Sequence, residues 1–199
     1  GDNIRPPKPE QLPKLRYLSY GTSITHGFDA EGAHLNYVAQ TARTLSADLI
    51  NLGVGGAAYC EHELADHIAQ RTDWDIASLA LSVNMQSFAM DEFYERVSYM
   101  VNTVAGGDTN RPVVCMTLYP YFRDFGVEPA GEYGGSPNDY RQALQKAVEA
   151  CPHPNVHLVH GPDMLTKIEN LTADLIHPSD FGMAEMGRYL AKKFKAILS

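Results

Sequence analysis

Cysteine is scarce in this chain: Cys60, Cys115 and Cys151 are the only three among 199 residues, and none belongs to a CxxC pair. That argues against a disulfide framework and against a cysteine-based structural zinc or redox site. Long apolar runs are missing too. No stretch approaches the roughly 20 residues that span a bilayer, and the N-terminus lacks the charged-then-apolar pattern of a signal peptide, so the chain reads as soluble with its compartment open. Basic residues are in deficit, with 16 Lys+Arg against 24 Asp+Glu and a net charge of −8. This speaks against a surface that must neutralise nucleic-acid phosphates or an anionic membrane, and points to a small-molecule partner. There is no internal repeat or low-complexity tract. What is present is ordinary globular material, 44% hydrophobic and 20% charged, enough to bury one sizeable core.

The opening GDNIRPPKPEQLPK holds four of the 12 prolines, so residues 1–14 read as an extended linker or tail. Such a head suggests a piece of a longer protein, with an accessory domain upstream of residue 1. Residues 15–199 read as a single domain. LRYLSY, DLINLGV, DIASLALSV, PVVCMTLYP and VHLVHG have strand character, and they alternate with helical patterns in NYVAQTARTLSA, AYCEHELADHIAQR, FYERVSYMVNTVAG, PNDYRQALQKAVEAC and GMAEMGRYLAKKFKAIL. Five strands interleaved with helices imply an α/β fold, a three-layer α/β/α arrangement on a parallel sheet. In such sheets ligands sit beyond the carboxyl ends of the strands.

Four segments fall at those ends. GTSITHG after the first strand presents Ser23, which could be a nucleophile if a histidine took its proton. Alone, a serine there more often caps a helix or closes a turn. NLGVGG after the second strand lets backbone N–H groups approach an anion, or is simply a tight turn. GVGGAAY lacks the last glycine of GxGxxG and follows the wrong strand for a dinucleotide site. LSVNMQS after the third strand places Asn84, whose amide can donate to an oxyanion; each such donor is worth roughly 2.7–4 kcal/mol. TADLIHPSDFG sets Asp174 three residues before His177, where Pro178 forbids a regular helix through the histidine. There Asp174 can accept the Nδ1–H of His177 and leave Nε2 for Ser23.

Together and in this order, GTSITHG, NLGVGG, LSVNM and DLIHP resemble the GDSL/SGNH hydrolase superfamily over residues 15–198. The resemblance implies a flavodoxin-like five-stranded parallel sheet of order 2-1-3-4-5. It also implies catalytic Ser23, His177 and Asp174, an oxyanion hole of the Ser23 and Gly56 N–H groups with Asn84, and no metal or organic cofactor. Gly56 is preferred to Gly55 because the family's oxyanion glycine comes last in its block. Thr22 replaces the family's usual aspartate, keeping a hydroxyl for a local hydrogen bond, and Ser82-Val83-Asn84-Met85 replaces GxND. Met85 is expected to make the pocket wall more apolar, with Thr22, Tyr119 and Tyr121 as further pocket residues.

The implied chemistry is a serine esterase acting on a small or carbohydrate-borne ester such as an O-acetyl sugar, with a rate rising through histidine's ordinary range near about 6.5. The alternatives are a short-chain lipase, thioesterase or lysophospholipase, or a binding module that has lost turnover. HELADH separates His62 and His67 by five residues, about 140° around a helix, which does not suit the zinc-binding HExxH. His153, His157 and His160 read as surface or turn residues, and Cys60 as a buried thiol. The aromatic group Tyr119, Tyr121, Phe122 and Phe125 could line a pocket or pack a core. The long glycine-rich connection from Tyr121 to Asn138 reads as a lid or specificity loop, or as an ordered surface excursion.

Overall fold

The computed structural model describes residues 4–128 and 131–199. The start of the proline-rich head, residues 1–3, and Pro129–Ala130 of the long connection lie outside the described residues. Residues 4–14 are exposed, with one 3₁₀ turn at Pro9–Gln11.

Five strands, β1 (Leu15–Gly21), β2 (Ala47–Gly53), β3 (Ile76–Ala80), β4 (Val113–Met116) and β5 (Val156–Val159), form one parallel sheet of order β2-β1-β3-β4-β5. The helices are α1 (Ser23–His26), α2 (Tyr37–Leu45), α3 (His62–Gln70), α4 (Met90–Gly107), α5 (Pro137–Ala150), α6 (Gly161–Met164) and α7 (Asp180–Ile197). The central strands are apolar on both faces because both are covered. Leu18, Tyr20, Leu79 and Cys115 join the core beneath α3, α4 and α5, while Tyr17, Ile76, Val114 and Met116 join the one beneath α2 and α7. Each large side chain so buried contributes about 1.5–3 kcal/mol. Hydroxyls inside the sheet are paired with one another: Ser78 Oγ lies 2.6 Å from Tyr17 OH and 2.9 Å from Ser19 Oγ.

Local chemistry sets the helix ends. Asn36 caps α2 by accepting from Ala39 N–H, and Ser136 caps α5 by accepting from Asp139 N–H, with Pro137 as the first helical residue. Pro152 pushes Cys151 into an extended conformation, and α5 stops at Ala150. One expected helix starts late. Ala58-Tyr59-Cys60 does not open α3, because Ala58 (φ +66°) and Cys60 (φ +53°) are left-handed and incompatible with a helix. Ser23 sits on a one-turn helix, against which β2 packs closely. A Cβ on Gly53 would lie 2.3 Å from the His26 nitrogen, so only glycine permits that approach.

Candidate functional site

The C-terminal ends of the strands open into a cleft of about 660 Å³. Ser23 reaches it from the turn after β1, Gly55 and Gly56 from the loop after β2, Asn84 from the 3₁₀ turn after β3, and His177 from the loop before α7.

The histidine loop is built from its own hydrogen bonds. Leu171 and Pro178 form an antiparallel bridge, Thr172 N–H donates to His177 C=O, and Leu175 takes a left-handed φ of +55° between them. Inside this loop Asp174 Oδ1 accepts from Ile176 N–H (2.8 Å), His177 N–H (2.9 Å) and the Thr172 hydroxyl (2.9 Å). Asp174 Oδ2 lies 2.5 Å from His177 Nδ1. A carboxylate only accepts, so Nδ1 carries the hydrogen and Nε2 presents its lone pair to Ser23 Oγ, 2.8 Å away. Burial pushes the Asp174 carboxyl up, but the bonds from the His177 side chain, the two backbone N–H groups and Thr172 outweigh it and bring it down to about 2. The Phe28 ring packs on the imidazole at 4.6 Å between centroids, tilted 49°.

Gly56 has φ +69° with open space where a side chain would stand, and Tyr59 OH donates to its carbonyl. Gly55 is nearer to Ser23; a Cβ built on it would lie 3.9 Å from Ser23 Cβ. Asn84 Nδ2 spends one hydrogen on Ala57 C=O (2.6 Å) and keeps a second.

Of the four expected pocket residues, only Tyr121 lines the cleft. Tyr119, 5% exposed, faces the opposite layer, edge-on to Tyr37. Met85 is wholly buried in the core beneath α4 and contributes nothing to the wall. Thr22 is buried at the N-cap of α1, and its hydroxyl makes no capping bond. Gln86, Phe122, Tyr133 and Ile176 line the cleft in their place, together with Phe28. Tyr133 belongs to the long connection, so that segment does reach the cleft, whereas Phe125 is a 42% exposed surface residue. Tyr121 OH donates to Gln86 Oε1, and the Arg123 guanidinium stacks on Tyr133 at 3.9 Å.

Elsewhere, His62 stacks on Tyr99 and pairs with Glu95 Oε1 at 3.0 Å, while His67 faces Arg71. Each histidine of HELADH therefore has its own separate partner. Cys60 is fully buried just before α3, and burial pushes its thiol well up, leaving it inert. Asp29, Asp174 and His177 bring three potential ligand atoms within 4.8 Å of one another. A cation on His177 Nδ1 would displace the hydrogen that Asp174 holds. Among the described residues no helix is long and apolar enough to cross a membrane.

The fold is shared with several solved structures. The chain is similar to the salicylyl-acyltransferase SsfX3 from a tetracycline biosynthetic pathway, at 21% identity and TM-score 0.80, over 94% of this chain and 56% of that one. It is similar to a family two carbohydrate esterase from Clostridium thermocellum in complex with cellohexaose, at 17% identity and TM-score 0.74, over 98% and 67%. It is also similar to a two-domain esterase (CEX) active on acetylated mannans, at 20% identity and TM-score 0.67, over 92% and 49%. The chain thus spans just over half the length of the acyltransferase and about half that of the mannan esterase. A search of curated proteins by sequence returns no match. The profile of the GDSL-like Lipase/Acylhydrolase family matches residues 15–197, and the chain belongs to that family.

Proposed function

We propose that the chain is a serine acylhydrolase that cleaves a small or carbohydrate-borne carboxylic ester, such as an O-acetyl sugar, through an acyl-Ser23 intermediate. The observation that carries this reading is the continuous hydrogen-bonded series Ser23 Oγ, His177 Nε2, His177 Nδ1, Asp174 Oδ2, at 2.8 and 2.5 Å. Ser23 Oγ attacks the ester carbonyl while its proton passes to Nε2, and Asp174 stabilises the resulting imidazolium. The oxyanion is met by the Ser23 and Gly56 N–H groups and by the second hydrogen of Asn84 Nδ2. His177 then protonates the leaving alcohol, and water, activated by the same histidine, releases the acid from Ser23.

The cleft supports a substrate larger than its acyl group. About 660 Å³ far exceeds what an acetyl fills, and Tyr121, Phe122 and Tyr133 offer aromatic faces of the kind that pack on sugar rings. Two of the structurally similar proteins, the mannan esterase and the cellohexaose-bound esterase, point the same way. The test is hydrolysis of p-nitrophenyl acetate, and acetate release from acetylated oligosaccharides, by the wild type and Ser23→Ala at matched folded fraction. Wild-type turnover that collapses by several orders of magnitude in the variant is expected. Equal rates in the two proteins would overturn the assignment. In an acyl-length series on a common alcohol, rate that climbs with each added CH₂ would favour a lipase or thioesterase over the deacetylase.

A further inference from the structure

His177 has a second carboxylate on its Nδ1 side. Asp174 Oδ2 stands 2.5 Å from Nδ1, and Asp29 Oδ2 stands 4.0 Å from the same atom. Thr172 Oγ1 joins the two acids, 2.9 Å from Asp174 Oδ1 and 3.3 Å from Asp29 Oδ2. Its one hydrogen serves one acceptor at a time, and the shorter contact assigns it to Asp174.

The turn that leaves α1 puts Asp29 there. Phe28 N–H donates to Ser23 C=O, Gly27 turns at φ +100°, Ala30 N–H donates to Gly27 C=O, and Asp29 itself takes φ +64°. Aspartate and asparagine are among the few residues that enter this left-handed region readily. One short segment therefore carries Ser23, the Phe28 ring on the imidazole, and the second acid.

The position has a chemical consequence. At 4.0 Å Asp29 does not compete for the Nδ1 hydrogen, which Asp174 holds, but it is close enough to attract a positive imidazole. That charge arises when Ser23 gives up its proton and again when water does. If Asp174 is removed, Asp29 is the carboxylate within reach of Nδ1. The other titratable groups nearby are otherwise engaged. His26 Nδ1 faces Gly53 C=O, Asp180 of α7 accepts from Glu31 N–H, and Asp124, in the turn bonded to the histidine loop, is paired with Arg141.

We propose that Asp29 is a positioning residue for His177, stabilising its imidazolium from a second side and taking over the Nδ1 hydrogen when Asp174 is lost. This rests on the Ser23–His177 reading above. The experiment compares kcat/KM from pH 4 to 9 for the wild type, Asp29→Asn, Asp174→Ala and the double variant. Asparagine keeps the left-handed turn and the side-chain shape, so Asp29→Asn preserves the fold, which circular dichroism verifies.

Because Asp29 is 38% exposed, its attraction is screened. In Asp29→Asn the plateau is expected to fall about 2–5-fold and the acid limb to move to lower pH. The double variant is expected to be at least about tenfold slower than Asp174→Ala, since no carboxylate then remains to fix the tautomer. An Asp29→Asn profile that coincides with wild type, or a double variant no slower than Asp174→Ala, would overturn the proposal. Should Ser23→Ala match the wild type, the Ser23 reading fails by itself. The Asp29 contact is then judged by ¹⁵N NMR titration of His177 in wild type and Asp29→Asn, where a midpoint lowered in the variant supports it and coincident curves overturn it.

Discussion

Ser82 occupies the position that glycine holds in the family's GxND block, and its backbone is at φ +157°, ψ −46°, a region natural to glycine and costly for a residue with a Cβ. Its side chain is 2% exposed, and its Oγ is buried without a hydrogen-bond partner among the described residues. Replacing Ser82 by glycine changes three quantities. Releasing the backbone gains about 1–3 kcal/mol, and removing an unsatisfied hydroxyl gains about 1–3 kcal/mol. Against these stand about 0.5–1 kcal/mol for glycine's extra freedom in the unfolded chain and roughly 0.8 kcal/mol for the lost Cβ packing. The adjoining space, about 10 Å³ bounded by Thr22, Met116 and Tyr119, is about the size of one water molecule, and a water there reduces the hydroxyl contribution toward zero. The expected net gain is about 1–2 kcal/mol, or about 2–8 °C in Tm for a domain of this size. Thermal melts of wild type, Ser82→Gly and Ser82→Ala read it directly. The alanine variant loses the hydroxyl but keeps the Cβ, so the gap between the two variants is the backbone release less glycine's extra freedom and the lost Cβ packing. A glycine variant that melts no higher than the alanine variant would refute the reasoning, because the backbone release would then not exceed the roughly 1.3–1.8 kcal/mol that stands against it.

Two further outcomes follow from the site. Asn84→Ala removes the proposed oxyanion donor and is expected to lower kcat by about 10²–10³ with little change in KM, whereas a rise in KM at constant kcat would place Asn84 in ground-state binding alone. Asp174, held at about 2, has a folded pKa below its unfolded value, so it contributes stability that is full above about pH 4 and is lost as pH falls toward 2. The whole shift corresponds to about 2.5 kcal/mol, discounted to about 1 because the side chain is 38% exposed. Urea unfolding of Asp174→Asn should therefore show a deficit of about 1 kcal/mol at pH 7 that shrinks as pH is lowered from 4 toward 2, and a deficit independent of pH would contradict the assignment.

The alternation of strands and helices was legible because it rests on local signals: apolar runs long enough for two-sided burial, a Ser136-Pro137 helix start, and a proline just past α5. Sheet order came from the family resemblance, since strand pairing is not a local property. The positions proposed to carry the chemistry were legible for a related reason, as each lies within a few residues of a strand end or in one short loop. The pocket wall was not. Tyr119 and Tyr121 are two residues apart beyond the end of β4, yet one packs against Tyr37 and the other lines the cleft. Once the strand ends, period-two alternation no longer says which way a side chain points. Met85 was misplaced likewise, because the 3₁₀ turn of Val83–Met85 sends Val83 and Asn84 to the cleft and Met85 to the core. Phe28 and Asp29 went unseen because their placement depends on the left-handed turn at Gly27. The glycine closing SITHG was the available signal, since glycine there commonly ends a helix and reverses the chain.

That difference in legibility reflects how the cleft is built. Ser23, Asp174 and His177 sit on short segments fixed at both ends, Ser23 between β1 and the Gly27 turn, the other two within the Leu171–Pro178 bridge. The aromatic wall comes instead from the long connection after β4, which is pinned by two arginines. Arg141 binds Asp124 through both terminal nitrogens and also donates to the carbonyls of Leu118 and Tyr119, and Arg123 donates to Gly135 C=O. Only the bond from Phe122 N–H to Leu175 C=O links that wall to the histidine loop among the backbone bonds of the described residues. Substitutions at Tyr121 or Tyr133 can therefore reshape the space offered to a substrate while the hydrogen-bonded series from Ser23 to Asp174 keeps its geometry. Within one fold, the Ser23–His177–Asp174 series can stay fixed while the wall around it varies.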